Sequence, residues 1–331
     1  MAANRASLSF YDLRPAAGNF FEEVIAGLSR PQKELSPKYF YDARGCELFE
    51  AICGLPEYYP TRTETAMMQA HVRDMARHLG PRCALIEYGS GNSRKTRILI
   101  GELSPAAYVP IDIAAEQLRA SCAELARAFP DLAIIAVCAD YTRPLALPEI
   151  AALRARRVIY FPGSTIGNFT LPEAAAFLGN ARELSGAGGG LLIGVDLKKD
   201  PARLHAAYND AQGVTAEFNL NLLARINREL GADFELSAFR HHAFYNAGLG
   251  RIEMHLESLG EQQVTIRGHT FRFRAGETIH TENSYKYSVA EFQELARGAG
   301  FEPVQCWTDP ERLFAVHYLT VPPSSKPISR R

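Results

Sequence analysis

Apolar runs of strand length alternate with helical segments through the middle of the chain. In order, the pattern predicts strand 83–88, helix 93–103, strand 107–111, helix 114–128, strand 132–138, strand 157–161, helix 171–185 and strand 191–195. Parallel neighbours need a crossover connection, and right-handed crossovers place helices on both faces of the sheet. The middle of the chain therefore predicts an α/β fold built on a doubly wound parallel sheet.

This alternation breaks after Asp196 and returns near residue 288. Between these points the chain holds a helical stretch around 213–230 and strand-like segments at 239–246, 251–258, 264–267 and 270–274. A helix over 288–299 and two apolar runs, 304–306 and 313–320, then predict a final antiparallel hairpin. The first 60 residues, rich in Tyr, Phe and Pro, do not fit the sheet either.

Two domains follow from these boundaries. A capping box at 61–64 would open a helix that ends at Leu79. We expect the sheet domain to comprise residues 61–196 and 288–321. We expect residues 1–60 and 197–287 to form a second, mixed α+β domain that binds the substrate and covers the sheet as a lid.

The first strand ends in Glu87-x-Gly89-x-Gly91 and leads directly into a helix. Glycines here allow a sharp turn and remove Cβ atoms, so a ligand can lie against the main chain. Arg94 stands where a dinucleotide-binding loop has its third glycine, which disfavours a pyrophosphate at the helix. The loop favours S-adenosylmethionine, which has no phosphate, although a plain strand-to-helix turn explains Gly-x-Gly equally well.

Polar residues also follow the later strands. Asp112 comes 25 residues after Glu87, roughly the ribose-binding spacing of a βαβ unit, and the pair Asp140-Tyr141 and Asn168 follow the next two strands. Ligands of open parallel sheets bind outside the carboxyl ends of the strands. We therefore expect these residues to face one crevice, although Asp112 alone fits a helix N-cap equally well.

Composition narrows the class of protein. The chain has 331 residues, of which 47% are hydrophobic and 22% charged, so it is long enough for a large core. A net charge of −1 argues against a nucleic-acid partner. The sequence has no apolar run of membrane-spanning length and no hydrophobic secretory segment at its start, which predicts no membrane partner and a cytoplasmic location. The six cysteines form no Cys-x-x-Cys pair and the nine histidines no His-Glu-x-x-His, so we expect neither a disulfide framework nor a bound metal.

With these motifs assembled, the chain resembles the ergothioneine-pathway histidine Nα-methyltransferases over nearly its whole length. The shared motifs are Tyr39-Phe-Tyr-Asp42, 55–64, the glycine loop 87–96, 161–169, 208–215, Arg251-Ile-Glu-Met-His255 and Thr281-Glu-Asn-Ser-Tyr-Lys286. The resemblance implies a class I methyltransferase fold, S-adenosylmethionine as methyl donor without a metal, and transfer of three methyl groups to the α-amine of L-histidine, giving hercynine. Asn283 departs from the pattern, which has an aliphatic residue there.

The resemblance also implies roles for single residues. S-adenosylmethionine would be held by Gly89, Gly91, Lys95, Asp112, Asp140 and Tyr141. Histidine would be held by Tyr58, Asn168, Tyr208, Glu282 and Ser284, with Glu282 and Ser284 on the two imidazole nitrogens. Met254 and Thr215 would shape the slot, unless Met254 is plain core. Tyr41 and Phe49 would line the amine pocket, with Tyr41 and Asn168 as catalytic residues, although aromatic residues in such number usually pack cores.

Three other functions remain open. A relative could methylate another amino acid such as a tryptophan derivative, but an indole has only one N–H and no second nitrogen for Ser284. The glycine loop alone also allows a dehydrogenase, which Arg94 and the final hairpin disfavour. A regulator that binds the cofactor without turnover is the non-enzymatic possibility, and the intact substrate residues argue against it.

Overall fold

The computed structural model describes residues 8–13, 19–91 and 94–323, except for the side chains of Asn19, Arg94 and Ala152. Its largest sheet has eight strands. Numbered in chain order, they are β1 (Leu8–Asp12), β3 (Ala84–Tyr88), β4 (Ala107–Asp112), β5 (Ile134–Cys138), β6 (Arg157–Phe161), β7 (Gly190–Asp196), β13 (Glu302–Thr308) and β14 (Phe314–Thr320). Their order across the sheet is β1-β5-β4-β3-β6-β7-β14-β13. The strands are parallel up to β7, and β14 is antiparallel to both β7 and β13. The doubly wound sheet and its final hairpin are therefore confirmed.

Helices cover both faces of this sheet. The helices are α1 (Asn19–Leu28), α2 (Ala43–Gly54), α3 (Tyr59–Leu79), α4 (Arg94–Leu103), α5 (Ala115–Ala128), α6 (Leu171–Ser185), α7 (Pro201–Tyr208), α8 (Val214–Leu230) and α9 (Val289–Gly298). Buried side chains of α3, α4 and α5, such as Met75, Leu99 and Leu118, share one apolar core, and those of α6 and α9, such as Phe177 and Phe292, share the other. Among the described helices, none combines the length and apolarity that crossing a lipid bilayer requires.

The start of α3 differs from the prediction. The helix begins at Tyr59, with a proline in its first turn, where the fixed φ of Pro60 suits a helix and no N–H is lost. The predicted capping box at 61–64 is therefore wrong, because Glu64 lies inside the helix. Its carboxylate is fully buried and accepts hydrogen bonds from the backbone N–H of Gly163, at 2.9 and 3.1 Å.

A second sheet lies outside the first. It consists of β2 (Lys33–Glu34), β8 (Phe239–Asn246), β9 (Arg251–Ser258) and β12 (Thr278–Tyr285), in the order β2-β12-β9-β8, beside a separate hairpin of β10 (Gln262–Ile266) and β11 (His269–Phe273). Its apolar core also contains side chains from α1, α2 and α8, such as Val24, Leu48 and Leu222. Side chains of α1, α2, α8 and the second sheet thus share one continuous core, and the division into two domains stays a prediction.

The first strand is the exception. Residues 8–12 pair in parallel with β5 at the edge of the large sheet, so the expectation that all of the first 60 residues lie outside this sheet is wrong. An edge strand with one covered face carries only a weak apolar pattern: Leu8 is 47% exposed, and the ring of Phe10 is covered by the guanidinium of Arg119, 3.4 Å from its centroid.

Candidate active site

The glycine loop leaves the carboxyl end of β3 with two residues in left-handed conformations. The φ angles of Gly89 and Gly91 are +68° and +48°, which a residue with a Cβ adopts only with strain. The ring of Tyr141 lies over the loop, because a Cβ on Gly89 would stand 3.6 Å from the Tyr141 hydroxyl oxygen. Tyr141 in turn stacks on Tyr88, with ring centroids 5.4 Å apart. Gly89 is therefore backed by two stacked aromatic rings.

Glu87 does not face the crevice with Asp112, contrary to expectation. Its side chain is 2% exposed and accepts hydrogen bonds from Thr96 Oγ1, at 2.7 Å to each oxygen, and from the hydroxyl of Tyr108. Burial raises the pKa of Glu87 to about 7, against the hydrogen bonds that lower it. The carboxylate holds the first turn of α4 against the end of β3, so Glu87 positions the loop.

Asp112 and Asp140 stand at the ends of β4 and β5. One oxygen of Asp112 accepts from the N–H of Gly91 at 3.3 Å and the other from the N–H of Ala114 at 3.0 Å. Burial raises the pKa of Asp112. Each carboxylate oxygen can accept two hydrogen bonds, so both retain a lone pair for a ligand. Asp140 accepts from the N–H of Thr142 at 3.0 Å, which fixes the turn after β5.

Lys95 reaches the same edge of the sheet from the first turn of α4. Its ammonium forms an ion pair with Glu64, next to Gly163 at the end of β6. Gly194 leaves room for this pair, because a Cβ there would lie 2.2 Å from a carboxylate oxygen of Glu64. The contact of Lys95 with a cofactor stays a prediction.

The strand β12 presents Glu282 and Ser284 on one face. Glu282 lies opposite Met254 and Ser284 opposite Ile252 on β9, with a bulge between His280 and Glu282. The bulge reverses the alternation of side chains, so His280 and Glu282 point to opposite faces although they are two residues apart. Thr281, inside the bulge, donates to Asn219 Oδ1 at 2.8 Å and to the carbonyl of Met254 at 3.0 Å.

Glu282 is the unpaired acceptor of this face. Within the described part of the chain its carboxylate accepts no hydrogen bond, although burial raises its pKa to about 7, with the charge of Lys286 opposing the shift. The charge of Glu282 contributes, after burial, to raising the pKa of Tyr41 and of Tyr208. The carboxylate of Glu282 is therefore available to a ligand that donates a hydrogen bond.

Ser284 and Tyr208 are held by a buried lysine. The Tyr208 hydroxyl and Ser284 Oγ are 2.7 Å apart, and Lys286 Nζ lies 2.7 Å from Ser284 Oγ and 3.1 Å from the Tyr208 oxygen. The third N–H of Lys286 meets Asp196 Oδ2 at 2.7 Å, and both of these charged side chains are 1% exposed. Since an ammonium only donates, one hydroxyl hydrogen is used between Tyr208 and Ser284 and one remains for the pocket.

Asp196 anchors this network at the end of β7. It also accepts from the Tyr59 hydroxyl at 2.7 and 2.8 Å and from Lys199 at 2.5 Å. The two ammonium groups outweigh burial and hold the pKa of Asp196 below its usual value. Burial lowers the pKa of Lys199 to about 8. The carboxylate therefore stays ionised, and it keeps Lys286 charged.

Aromatic side chains from the N-terminal segment close the pocket. Phe49 contacts Tyr41 and Tyr58, with centroid distances of 5.7 and 6.4 Å, and Tyr58 contacts Tyr208 at 6.4 Å. Burial, and after it the charge of Asp112, raises the pKa of Cys46 on α2 to about 11. This segment thus borders Tyr208 through the ring of Tyr58.

Met254, Thr215 and Asn168 are three further residues predicted for the site. Met254 is 2% exposed on β9 beside Glu282, and Thr215 is buried in the first turn of α8, where its N–H donates to Asp210 at 2.8 Å. Asn168 ends the short 3-10 helix that follows β6. That helix packs directly against β12, because a Cβ on Gly167 would lie 2.8 Å from the carbonyl oxygen of Tyr285.

The sequence interpretation missed Lys286, Asp196 and Glu64. Two signals were available: Lys286 continues the alternation of Glu282 and Ser284, and Asp196 ends a parallel strand as Asp112 does. Nothing in the local pattern around Glu64 indicates its partners, which come from α4 and from the loop after β6.

Comparison with known proteins identifies the family to which this chain is similar. Residues 20–321 match the model of a family described as histidine-specific, S-adenosylmethionine-dependent methyltransferases. A histidine N-alpha-methyltransferase of Mycolicibacterium smegmatis is 42% identical, over 89% of this chain and 92% of that protein. The ergothioneine biosynthesis protein 1 of Neurospora crassa is 32% identical, over 86% of this chain and 33% of that longer protein. The 4-dimethylallyltryptophan N-methyltransferase easF of Claviceps purpurea is 27% identical, over 87% of this chain and 91% of that protein.

Proposed function

Since the chain belongs to the family of histidine-specific, S-adenosylmethionine-dependent methyltransferases, we propose that it transfers three methyl groups to the α-amine of L-histidine. The product is hercynine, a trimethylated betaine, and its further use is in ergothioneine synthesis. The choice of substrate rests on two side chains of β12. The carboxylate of Glu282 has no hydrogen-bond partner in the described chain. Two residues further, the hydroxyl of Ser284 contacts both a lysine and a tyrosine.

Neutral imidazole has the matching polarity. One ring nitrogen carries a hydrogen and the other a lone pair. Glu282 can accept the N–H, and Ser284 can donate to the second nitrogen when Tyr208 donates to Ser284. An indole offers a single N–H and would leave the Ser284 hydroxyl unpaired. This favours histidine over a tryptophan derivative, the alternative substrate.

The methyl donor fits the residues at the strand ends. The partly filled oxygens of Asp112 suit two ribose hydroxyls, whereas its negative charge would repel a phosphate. We propose that Gly89, Gly91 and Tyr141 contact the adenosine, with Asp140 on the adenine and Lys95 near the amino-acid carboxylate. Bound S-adenosylmethionine supplies a methyl group on a positively charged sulfur.

The residues act mainly by alignment. The neutral amine nitrogen must approach the methyl carbon in line with the sulfur, and such positioning is worth about 7–11 kcal/mol. We assign Asn168 and Tyr208 to the substrate carboxylate, with Tyr58 as a further contact, and Met254, Thr215 and Phe49 to the walls of the slot. The second sheet and the N-terminal aromatic residues would form a substrate-binding lid. A location in the cytoplasm stays a prediction.

Proton removal precedes each of the three transfers, because the ammonium, monomethylammonium and dimethylammonium forms have no lone pair on nitrogen until one proton is lost. Burial, followed by the charge of Glu282, raises the pKa of Tyr41 well above its usual value, so its phenol is neutral near pH 7. We therefore assign the proton to water, with Tyr41 orienting that water. Counted from the protonated substrate, each transfer yields the methylated ammonium, S-adenosylhomocysteine and one proton.

Asp112→Ala should weaken binding of S-adenosylmethionine by roughly ten- to a hundred-fold. The substitution removes a charged acceptor from two hydroxyl groups, a loss of about 1.5–3 kcal/mol. Calorimetric titration measures the affinity, and Asp131→Ala, an exposed aspartate, is the matched control. Unchanged affinity in a folded Asp112→Ala protein would leave the residue as a cap of the turn before α5.

Asn168→Ala should raise the KM for histidine by at least tenfold and leave the KM for S-adenosylmethionine nearly unchanged. The reason is that only the substrate carboxylate loses a donor, worth about 1.5–3 kcal/mol for a bond to a charged group. Histidinamide should be a poor substrate of the unaltered enzyme for the same reason. Initial rates with each compound test this, with Asn180→Ala on α6 as control. Equal methylation of histidinamide and histidine would contradict the carboxylate contact.

A further inference from the structure

In the second sheet, the face opposite to that of Glu282 carries two neighbouring histidines and a glutamate. His255 on β9 and His280 on β12 lie directly opposite each other, with ring centroids 4.9 Å apart. Glu253 is two residues from His255 on the same strand. One ligand atom from each of the three lies within 4.8 Å of the others, and Glu253 and His255 are 8% and 7% exposed.

Each of these side chains is oriented by a second partner. His280 Nε2 lies 3.1 Å from the carbonyl of Glu282, which can only accept, so its Nδ1 keeps the lone pair in the neutral ring. His255 Nδ1 lies 3.2 Å from Thr278 Oγ1, and its Nε2 lies 3.1 Å from Glu253 Oε2. A hydroxyl can donate or accept, so His255 can release Nε2 without losing its bond to Thr278. Metal-binding histidines usually have an outer hydrogen bond of this kind.

Glu253 brings a carboxylate to the cluster, with Arg251 as its ion-pair partner on one side. Arg251 and Asn246 contact Oε1 at 2.9 Å, which leaves Oε2 facing His255.

Asn283 adds a fourth oxygen to this face. It lies opposite Glu253 in the β12–β9 pairing, so its side chain is on the same side of the sheet as the cluster. Its buried Oδ1 accepts no hydrogen bond from the described residues. The neighbouring residue Glu282, which we assign to the substrate, is on the opposite face of the strand. Asn283 therefore has no part in the proposed substrate pocket.

We propose that Glu253, His255 and His280, with the side-chain oxygen of Asn283 as a fourth donor, form a binding site for a divalent first-row transition metal such as Zn²⁺. Two imidazole nitrogens and two oxygens suit Zn²⁺ in tetrahedral coordination. Bonds of about 2.0–2.1 Å place tetrahedral ligand atoms roughly 3.4 Å apart, so side-chain rotations that shorten the longest separation complete the site. No local Cys or His motif of the sequence indicates this site, because its ligands come from two paired strands.

The site is coupled to the substrate face through one residue. His280 donates to the carbonyl of Glu282, on the strand segment where the bulge reverses the side chains. A bound metal would fix His280 and hence the backbone of Glu282. The inference itself does not depend on the proposed substrate, because metal binding is measured without methyl donor or histidine.

The test is a calorimetric titration of tag-free, chelator-treated full-length protein with zinc chloride, in the absence of free histidine. We expect one equivalent to bind, and His255→Ala and His280→Ala each to weaken binding at least tenfold. Asn283→Val, which introduces an aliphatic residue, should weaken it several-fold. His269→Ala removes an exposed histidine on β11 and should bind as the unaltered protein does.

Two further measurements distinguish metal binding at this site from binding to cysteines or to other histidines of the protein. Co²⁺ should bind with visible ligand-field absorption and no thiolate charge-transfer band, and Zn²⁺ should raise the Tm of the unaltered protein but not of His280→Ala. Circular dichroism verifies the fold, and His280→Gln replaces the alanine variant if that protein does not fold. Absence of saturable binding, or variants at 255 and 280 that bind as tightly as the unaltered protein, would overturn the proposal.

Discussion

Lys286→Met should lower the free energy of unfolding by about 3 kcal/mol and should abolish measurable saturation by histidine. Removing one partner of a buried ion pair costs about 3–5 kcal/mol, and Lys199 and Tyr59 still bond Asp196, which places the expected loss at the lower end. Urea unfolding measures the stability. Lys198→Met is the matched control, because Lys198 pairs with Glu291 at the surface, where such pairs contribute only about 0–1 kcal/mol.

The effect on histidine has a separate cause. Without the ammonium, Ser284 and Tyr208 no longer have a fixed donor, and their hydroxyl hydrogens can point in several directions. The double variant Lys286→Met with Asp196→Asn removes both charges and should regain part of the stability without regaining histidine affinity. Binding of S-adenosylmethionine should change little in either protein. A Lys286→Met enzyme with an unaltered KM for histidine would show that Lys286 only stabilises the fold.

The large sheet and the helices packed on it could be predicted because the local sequence patterns of these elements agree with the final fold. Helix α6 is an example: its predicted bounds, 171–185, are those of the structure, since Thr170 and Glu173 form a capping box and Gly186 follows its end. The resemblance to the histidine methyltransferases is confirmed by the family match, which also excludes the dehydrogenase alternative.

The elements that were missed lack an apolar pattern or depend on distant partners. Strand β12 is not among the predicted strands, because polar residues fill both of its faces: Glu282 and Ser284 on one, His280 and Asn283 on the other. Its bulge comes from Thr281, whose hydroxyl bonds to Asn219 on α8. A local pattern cannot predict such a contact between distant segments.

The same limit applies to the candidate site. Asp112 and Asn168 were selected because parallel strands bring their carboxyl ends to one edge of the sheet, and their contacts with ligands stay predictions. The same rule was wrong for Glu87, because its side chain points to the α4 face of the sheet and bonds to Thr96 and Tyr108. The position of a strand end is therefore predictable, whereas the face that a terminal side chain chooses depends on the register of the strand.

Glu282→Ala should lower kcat/KM for histidine by at least a hundred-fold and raise the relative rate with tryptophan. A pocket with buried polar groups rejects ligands that leave those groups without a hydrogen bond. When the pocket is built around a hydrogen-bonding substrate, the ratio of kcat/KM between that substrate and such a ligand reaches about 10⁴–10⁵. The alanine removes that requirement, while Met254 and the aromatic wall remain to contact a ring. Phenylalanine and leucine should not be methylated by the unaltered enzyme, since neither side chain bonds to Glu282 or Ser284.

Initial rates with histidine and tryptophan, followed by mass spectrometry of the mono-, di- and trimethylated products, measure the change. Glu261→Ala, an exposed glutamate between β9 and β10, is the control and should keep the preference for histidine. Glu282 is assigned to the substrate ring because its carboxylate has no hydrogen-bond partner of its own in the described chain. If the unaltered enzyme prefers tryptophan, or if the histidine-to-tryptophan ratio does not fall in Glu282→Ala, the assignment is wrong and the protein methylates a different amino acid.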